Sequence, residues 1–157
     1  MAEQEILDQL KTDLYSLLDE TFSNVHGHYL DKQTSLFETL ATISAEEASQ
    51  PVGDRCATLA AQVNHIRVYI EVLERSMRGE EVGPTDWAAS WRVASVDDEE
   101  WESLKQRLDA AYQRMLATMQ GFTTWDGEDQ IGGPLAILVH TAYHLGEIRQ
   151  ALCTIKR

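Results

Sequence analysis

Gly133-Pro-Leu-Ala-Ile-Leu-Val-His-Thr-Ala-Tyr-His-Leu-Gly-Glu-Ile-Arg-Gln150 is the stretch on which the reading of this 157-residue chain turns. Gly133-Pro134 marks a helix start, because proline is tolerated in a first turn, and the apolar pattern predicts a helix running to about Ile155. Wound at about 100° per residue, it places Leu135, Leu138, Val139, Ala142 and Leu145 on one broad side. That breadth predicts burial on two sides, within a bundle and against a partner subunit. On the other side His140 and His144 lie within roughly 40° of one another, one turn apart, which is the separation two imidazoles need to share a metal ion. Gly133, Ala136, Ile137, Glu147, Ile148 and Ala151 fall on the same arc. The small residues leave room beside the rings. A carboxylate at Glu147 among Ala and Ile needs a cation, a metal or a hydrogen-bonded partner, because an unpaired buried charge is costly, so Glu147 belongs to the site or to the groups that support it.

Working back along the chain, Ile6, Leu7, Leu10, Leu14, Leu17, Leu18 and Phe22 recur at threes and fours and predict an amphipathic helix over about 4–22, with acidic and polar residues between them. Ser23 to Lys32 breaks that period. Ser35 to Leu40 predicts a short helical piece, and Ser44-Ala-Glu-Glu47 has the form of a capping box. Asp54 is read as the N-cap of a second long helix that runs through Leu59, Val63, Ile66, Ile70, Leu73 and Met77 to a C-cap at Gly79. Residues 80–96, with Gly83, Pro84, Trp87 and Trp91, read as a long connection that buries large aromatics. Ser95 to Asp98 cap a third helix with the apolar set Trp101, Leu104, Leu108, Ala111, Tyr112, Met115 and Met119, ending at Gly121. A second loop spans 121–133. Four amphipathic helices without a strand candidate predict an all-α single domain over 1–157, a four-helix bundle with a long connection between the second and third helices.

Composition narrows the function. Thirteen Lys and Arg against twenty-six Asp and Glu give a formal net charge of −13. Nucleic-acid affinity rests on cations displacing counterions from phosphates, so this balance argues against nucleic acid and against anionic membrane surfaces. The longest apolar runs, of about six residues, fall far short of the ~20 that span a bilayer. Cys56 and Cys153 lack CxxC spacing and are too few for a disulfide framework, and Met1-Ala-Glu-Gln-Glu-Ile has neither the basic start nor the apolar middle of a secretion signal. The expectation is a reduced, cytoplasmic protein.

All five histidines fall in three places: His26 and His28 around Gly27, His65 in the second helix, and the pair on the fourth. In the second helix Asn64, Arg67, Glu71, Glu74, Arg75 and Arg78 occupy one polar arc, and His65 lies outside it, pointing inward or to an interface. One inward histidine and an i, i+4 pair on another helix are the least a bundle needs for a three-imidazole metal site with open coordination positions. The competing reading is that each is a core histidine with its nitrogens hydrogen-bonded and no metal; HxxxH without the Glu of HExxH is no protease signature.

These residues resemble the DinB-like (YfiT/DinB) family of four-helix metalloproteins. The resemblance is carried by Asn64-His65-Ile-Arg, by the aromatic connection around Trp87 and Trp91, and above all by His140-Thr-Ala-Tyr-His144-Leu-Gly-Glu-Ile-Arg-Gln150, and it covers essentially the whole chain. It implies His65, His140 and His144 as ligands to one divalent ion per chain, zinc or nickel. It also implies a bundle whose second and third helices run parallel, a homodimer, and a relationship to S-transferases or isomerases that use a low-molecular-weight thiol such as bacillithiol or mycothiol as cosubstrate. Val25-His-Gly-His-Tyr-Leu-Asp31 is not part of the family's pattern.

Three neutral imidazoles with an open position suit a catalytic metal, which makes hydroxide for hydrolysis or activates a thiol for attack on an electrophile. Glu147, His26 and His28 are the candidate catalytic groups, with the Gly27 loop able to fold over the metal and one imidazole able to shuttle protons. Tyr29, Asp31, Tyr69, Trp91 and Tyr143 are candidates to line the pocket. The expected function is a metal-dependent enzyme acting on a small-molecule substrate, of thiol S-transferase or hydrolase type. The alternatives are a metalloprotein whose ion is structural or sensory, and a metal-free helical dimer with core histidines.

Overall fold

The computed structural model describes residues 3–53 and 55–156, and it contains seven helices and no strand among them. The chain divides into two compact units, Met1–Thr42 and Ile43–Arg157. All four long helices expected from the periodicity are present. The fold is all-α.

In the first unit, α1 (Glu3–Phe22) buries Leu14, Leu18 and Phe22, and α2 (Leu36–Leu40) follows after a loop. Phe22 and Phe37 meet with ring centroids 6.0 Å apart. The loop folds around a carboxylate rather than an apolar residue. Glu20, fully buried, accepts the backbone N–H groups of His26 (3.1 Å), His28 (2.9 Å), Tyr29 (2.8 Å) and Leu30 (2.7 Å). Gly27, at φ +85°, makes the left-handed turn between these donors, a conformation that costs a glycine nothing.

The second unit holds α3 (Ala45–Ala48), α4 (Leu59–Met77), α5 (Trp87–Ser90), α6 (Asp98–Gln120) and α7 (Glu128–Ile155). Helix α4 is flanked by both α6 and α7. Glu71 meets Arg114 at 3.3 Å and Glu74 accepts from the Thr118 hydroxyl at 2.6 Å, so α4 and α6 run parallel. Gln62, His65 and Ser76 of α4 meet His144, His140 and Asp129 of α7, so α7 runs antiparallel to α4. A parallel neighbour requires a long crossover, and residues 78–97 supply it. Gly133 lets the Met77 side chain of α4 pack tightly on α7: a Cβ there would stand 2.7 Å from Met77 Cγ.

Helix α6 buries the apolar set read from its sequence, and the Trp101 indole N–H donates to the Ile43 carbonyl at 2.7 Å. Its start is a capping box: Asp97 accepts from the Glu100 N–H, and Glu100 accepts from the Asp97 N–H. Helix α4 ends as the Gly79 signal predicts. Gly79 at φ +78° lets its own N–H reach the Ser76 carbonyl and that of Glu80 reach Arg75, satisfying carbonyls the helix leaves open.

Four details correct the sequence reading. Helix α4 starts at Leu59 with Thr58 as its cap, accepting from the Ala61 N–H; Asp54, the expected cap, lies outside the described residues. Helix α7 starts at Glu128, so Pro134 lies inside the helix rather than opening it. Glu128 and Asp129 in the first turn favour this earlier start through the helix dipole, which offsets the hydrogen bond that proline removes. The 80–96 connection contains α5, too short to show a period. The polar arc of α4 is not wholly solvated: Asn64 and Glu74 are both about 5% exposed, because they bond to α5 and α6.

Candidate metal centre

His65 projects from α4, and His140 and His144 from successive turns of α7. The antiparallel register brings the three rings together. Centroids are 4.9 Å apart for His65 and His140, 5.2 Å for His65 and His144, and 4.5 Å for His140 and His144. One ring nitrogen from each lies within 4.8 Å of the other two, a grouping that could hold a metal ion.

The neighbours fix which nitrogen faces inward. Ser90 Oγ donates its single hydrogen to the Trp87 carbonyl at 2.6 Å, so towards His65 Nδ1, 2.7 Å away, it accepts. His65 therefore carries its proton on Nδ1, and the Nε2 lone pair points at His140 Nε2, 3.1 Å distant. His144 Nδ1 lies 2.8 Å from Glu147 Oε2 and 3.2 Å from Gln62 Oε1, both acceptors, which likewise assigns its proton to Nδ1 and frees Nε2. His140 Nδ1 is buried without a hydrogen-bond partner. Two rings are thus oriented by second partners, as ligand histidines commonly are, and the facing Nε2 atoms of His65 and His140 need a shared proton or cation between them.

Aromatic rings clamp the set. His65 stacks on Trp91 at 4.1 Å and 20°, His140 stacks on Tyr69 at 3.7 Å and 8°, and Tyr143 meets His144 edge-on at 5.0 Å. Asn64 ties α5 to α4 by donating from Nδ2 to the Ser90 carbonyl at 2.7 Å. Burial, reinforced by repulsion from His144, pushes His65 down to about 4; burial and the two neighbouring rings push His140 down to about 3. His144 is also lowered by burial, with Glu147 opposing. Neutral imidazoles are the ligand form, so the site is poised for a cation near pH 7 without competing protons.

A cleft of about 630 Å³ is lined by none of the three histidines but shares with them Gln62, Trp91 and Glu147, which touch His144 and His65. Its wall near the rings carries Gln62, Trp91 and Glu147, and it continues along α7 past Gln150. Of the residues singled out from sequence, Tyr69, Trp91, Tyr143 and Glu147 are therefore at the rings. Tyr143 is mostly exposed, and its hydroxyl is shifted up by its hydrogen bond to Glu147.

His26, His28, Tyr29 and Asp31 belong to the first unit, where the contacts found are local. His26 Nε2 lies 2.6 Å from Asp19 Oδ2, His28 Nε2 lies 2.8 Å from Ser16 Oγ, and the Tyr29 hydroxyl donates to Thr21 Oγ1 at 2.5 Å. The Asp31 carbonyl accepts from Thr34 Oγ1 at 2.6 Å. Sequence reasoning missed Ser90 and Gln62. Gln62 stands three residues before His65 on α4, a spacing that would have exposed it; nothing local marks Ser90.

The family model described as the DinB superfamily matches residues 28–148. No curated protein and no solved structure matches the chain.

Proposed function

The chain belongs to the DinB superfamily, and from that premise we propose that His65, His140 and His144 hold one divalent ion, zinc or nickel, in an enzyme acting on small molecules by thiol transfer or hydrolysis. The observation that carries this reading is the convergence of ring nitrogens whose far sides are already committed: Nδ1 of His65 to Ser90 and Nδ1 of His144 to Glu147, with His140 Nδ1 orphaned. When bound, the ion would supply Lewis acidity that acidifies a water or thiol presented to it. Trp91 and Tyr69 hold the ring planes, Gln62 and Glu147 hold His144, and the Glu147 carboxylate on the cleft side is placed to accept a proton from an incoming molecule. Glu147, which bonds His144 and also lines the neighbouring cleft, supports turnover over a structural or sensory ion.

The same reading includes a homodimer, supported by Leu135, Val139 and Tyr143, which repeat every fourth residue along α7 and are exposed. A cytoplasmic setting is supported by two unpaired, exposed cysteines, and small molecules rather than nucleic acid or membrane by the net charge of −13. No described helix is long and apolar enough to cross a membrane. The test is metal analysis of protein purified without chelator: about one equivalent of zinc or nickel per chain is expected, and a metal-free protein that takes up neither ion on titration would overturn the reading. Loaded protein is then assayed against paired thiols and electrophiles, and against hydrolysable esters and amides, with turnover in either panel as the expected result.

A further inference from the structure

The cleft of the second unit meets the triad from behind. Gln62 and Glu147 line it, and both accept from His144 Nδ1, the nitrogen turned away from the other two rings. Gln62 is only 8% exposed, and its Oε1 is committed to His144 at 3.2 Å. The two hydrogens on its Nε2 donate to no described residue, and unlike His140 Nδ1 this nitrogen is not sealed from solvent, so in a side chain this buried it opens on the cleft that Gln62 lines. Buried polar groups are normally paired. An amide nitrogen that is not, in the wall of a cleft of about 630 Å³, is a donor presented to a ligand's acceptor. Its surroundings choose that acceptor. Glu147 is the only charged residue in the lining, so a carboxylate or phosphate brought to Gln62 meets like charge with no Lys or Arg to offset it. A carboxamide suits both groups: its carbonyl takes a Gln62 N–H, its own N–H is given to Glu147 or Gln150, and an apolar body lies along Val52 and Ala57.

We propose that this cleft is a second ligand site, separate from the metal-facing nitrogens, which takes a small uncharged carboxamide on Gln62 Nε2, and that this ligand and the metal tighten one another's binding through His144. The amide site stands on the cleft and on Gln62 alone; the coupling rests on the metal reading above. A cation at the triad holds the His144 proton on Nδ1, which keeps Gln62 Oε1 turned inward and Nε2 turned to the cleft. An amide held on Nε2 fixes the same orientation, so each ligand prepares the site of the other.

The test titrates benzamide and benzoate by calorimetry into zinc-loaded and metal-free full-length protein. Benzamide is expected to bind both forms, about fivefold more tightly with zinc, and about tenfold or more tightly than benzoate in each. Gln62→Met keeps the length of the side chain without its donor and should weaken benzamide about tenfold. Gly146→Leu, at an exposed helical position in the cleft lining where a Cβ meets nothing within 4 Å, narrows the cleft without touching the core and should weaken it by a similar factor, about tenfold. The two cysteines report the place of binding. Both are exposed, but only Cys56 lines the cleft, so benzamide should slow iodoacetamide alkylation of Cys56 and leave that of Cys153 unchanged. The amide site is overturned by no benzamide binding, by benzoate binding equally or better, by an unprotected Cys56, or by undiminished binding in either folded variant. Equal benzamide affinity with and without zinc overturns the coupling. A protein that took up no zinc would sink the metal reading instead, and the metal-free arm would still decide the amide site.

Discussion

Two polar clusters sit in this molecule, one in each unit, and they are built on opposite plans. In the first unit the Glu20 carboxylate is surrounded by donors: four backbone N–H groups converge on its two oxygens, and they hold it well below the ordinary carboxylate range, at about 2, even though burial alone would raise it. In the second unit three imidazoles converge, two ring nitrogens facing each other across 3.1 Å, and His140 Nδ1 has no hydrogen-bond partner. Glu20 takes donors only six to ten residues further on, whereas the triad joins His65 to His140, 75 residues apart. The first is saturated and shapes a loop; the second leaves His140 Nδ1 without a partner and could hold a cation. Saturation of hydrogen-bonding capacity, more than burial, separates a polar group that holds a fold from one left open to a ligand.

The sharpest way to break this comparison is to remove a ring. His140→Ala or His144→Ala should abolish stoichiometric zinc binding, a loss of affinity of about a hundredfold or more, while far-ultraviolet circular dichroism stays that of the parent; retention of one equivalent by either variant would mean the triad is not the ligand set. Next in size, Glu20→Ala leaves four N–H groups without their common acceptor and should cost about 3 kcal/mol in urea-unfolding free energy, with the zinc content of the folded fraction unchanged. Loss of metal there would show that the two clusters are not independent. Ser90→Ala is smaller. It frees the His65 ring to exchange tautomers and should weaken zinc about tenfold with little change in stability, measured by competition with a chromophoric chelator.

The same carboxylate also predicts an acid limb. Because Glu20 is depressed from 4.5 to about 2, the folded state holds fewer protons than the unfolded chain between those values, so its contribution to stability is full above about pH 4.5 and is lost as pH falls towards 2. Glu20→Gln should flatten that part of the stability-against-pH curve, followed by denaturant midpoints at each pH.

The histidine pair of α7 was legible because both rings lie on one helix, where i, i+4 spacing is already a distance. His65 was legible as an inward residue, since the polar arc of α4 excludes it. The groups that fix its tautomer were not: Ser90 lies 25 positions away in a four-residue helix, and its role depends on the crossover folding back onto α4. Glu20 shows the reverse error. By spacing it is one more acid on an amphipathic helix, and the His-Gly-His stretch after it draws the eye as chemistry. The structure makes Glu20 the hub and gives His26 and His28 local partners on α1. Similarly, Pro134 reads as a boundary only while each residue is weighed alone; the acidic turn at Glu128 and Asp129 starts the helix earlier.

The crossover between parallel α4 and α6 sets the order of events during folding. His65 and His140 are separated by 75 positions, and the serine that orients His65 arrives only once the intervening segment has docked. Closing so long a span is slow compared with winding the helices themselves. On the proposed metal reading ion capture is a late milestone, and the rate at which a refolding chain gains colour with cobalt would time the completion of its tertiary structure.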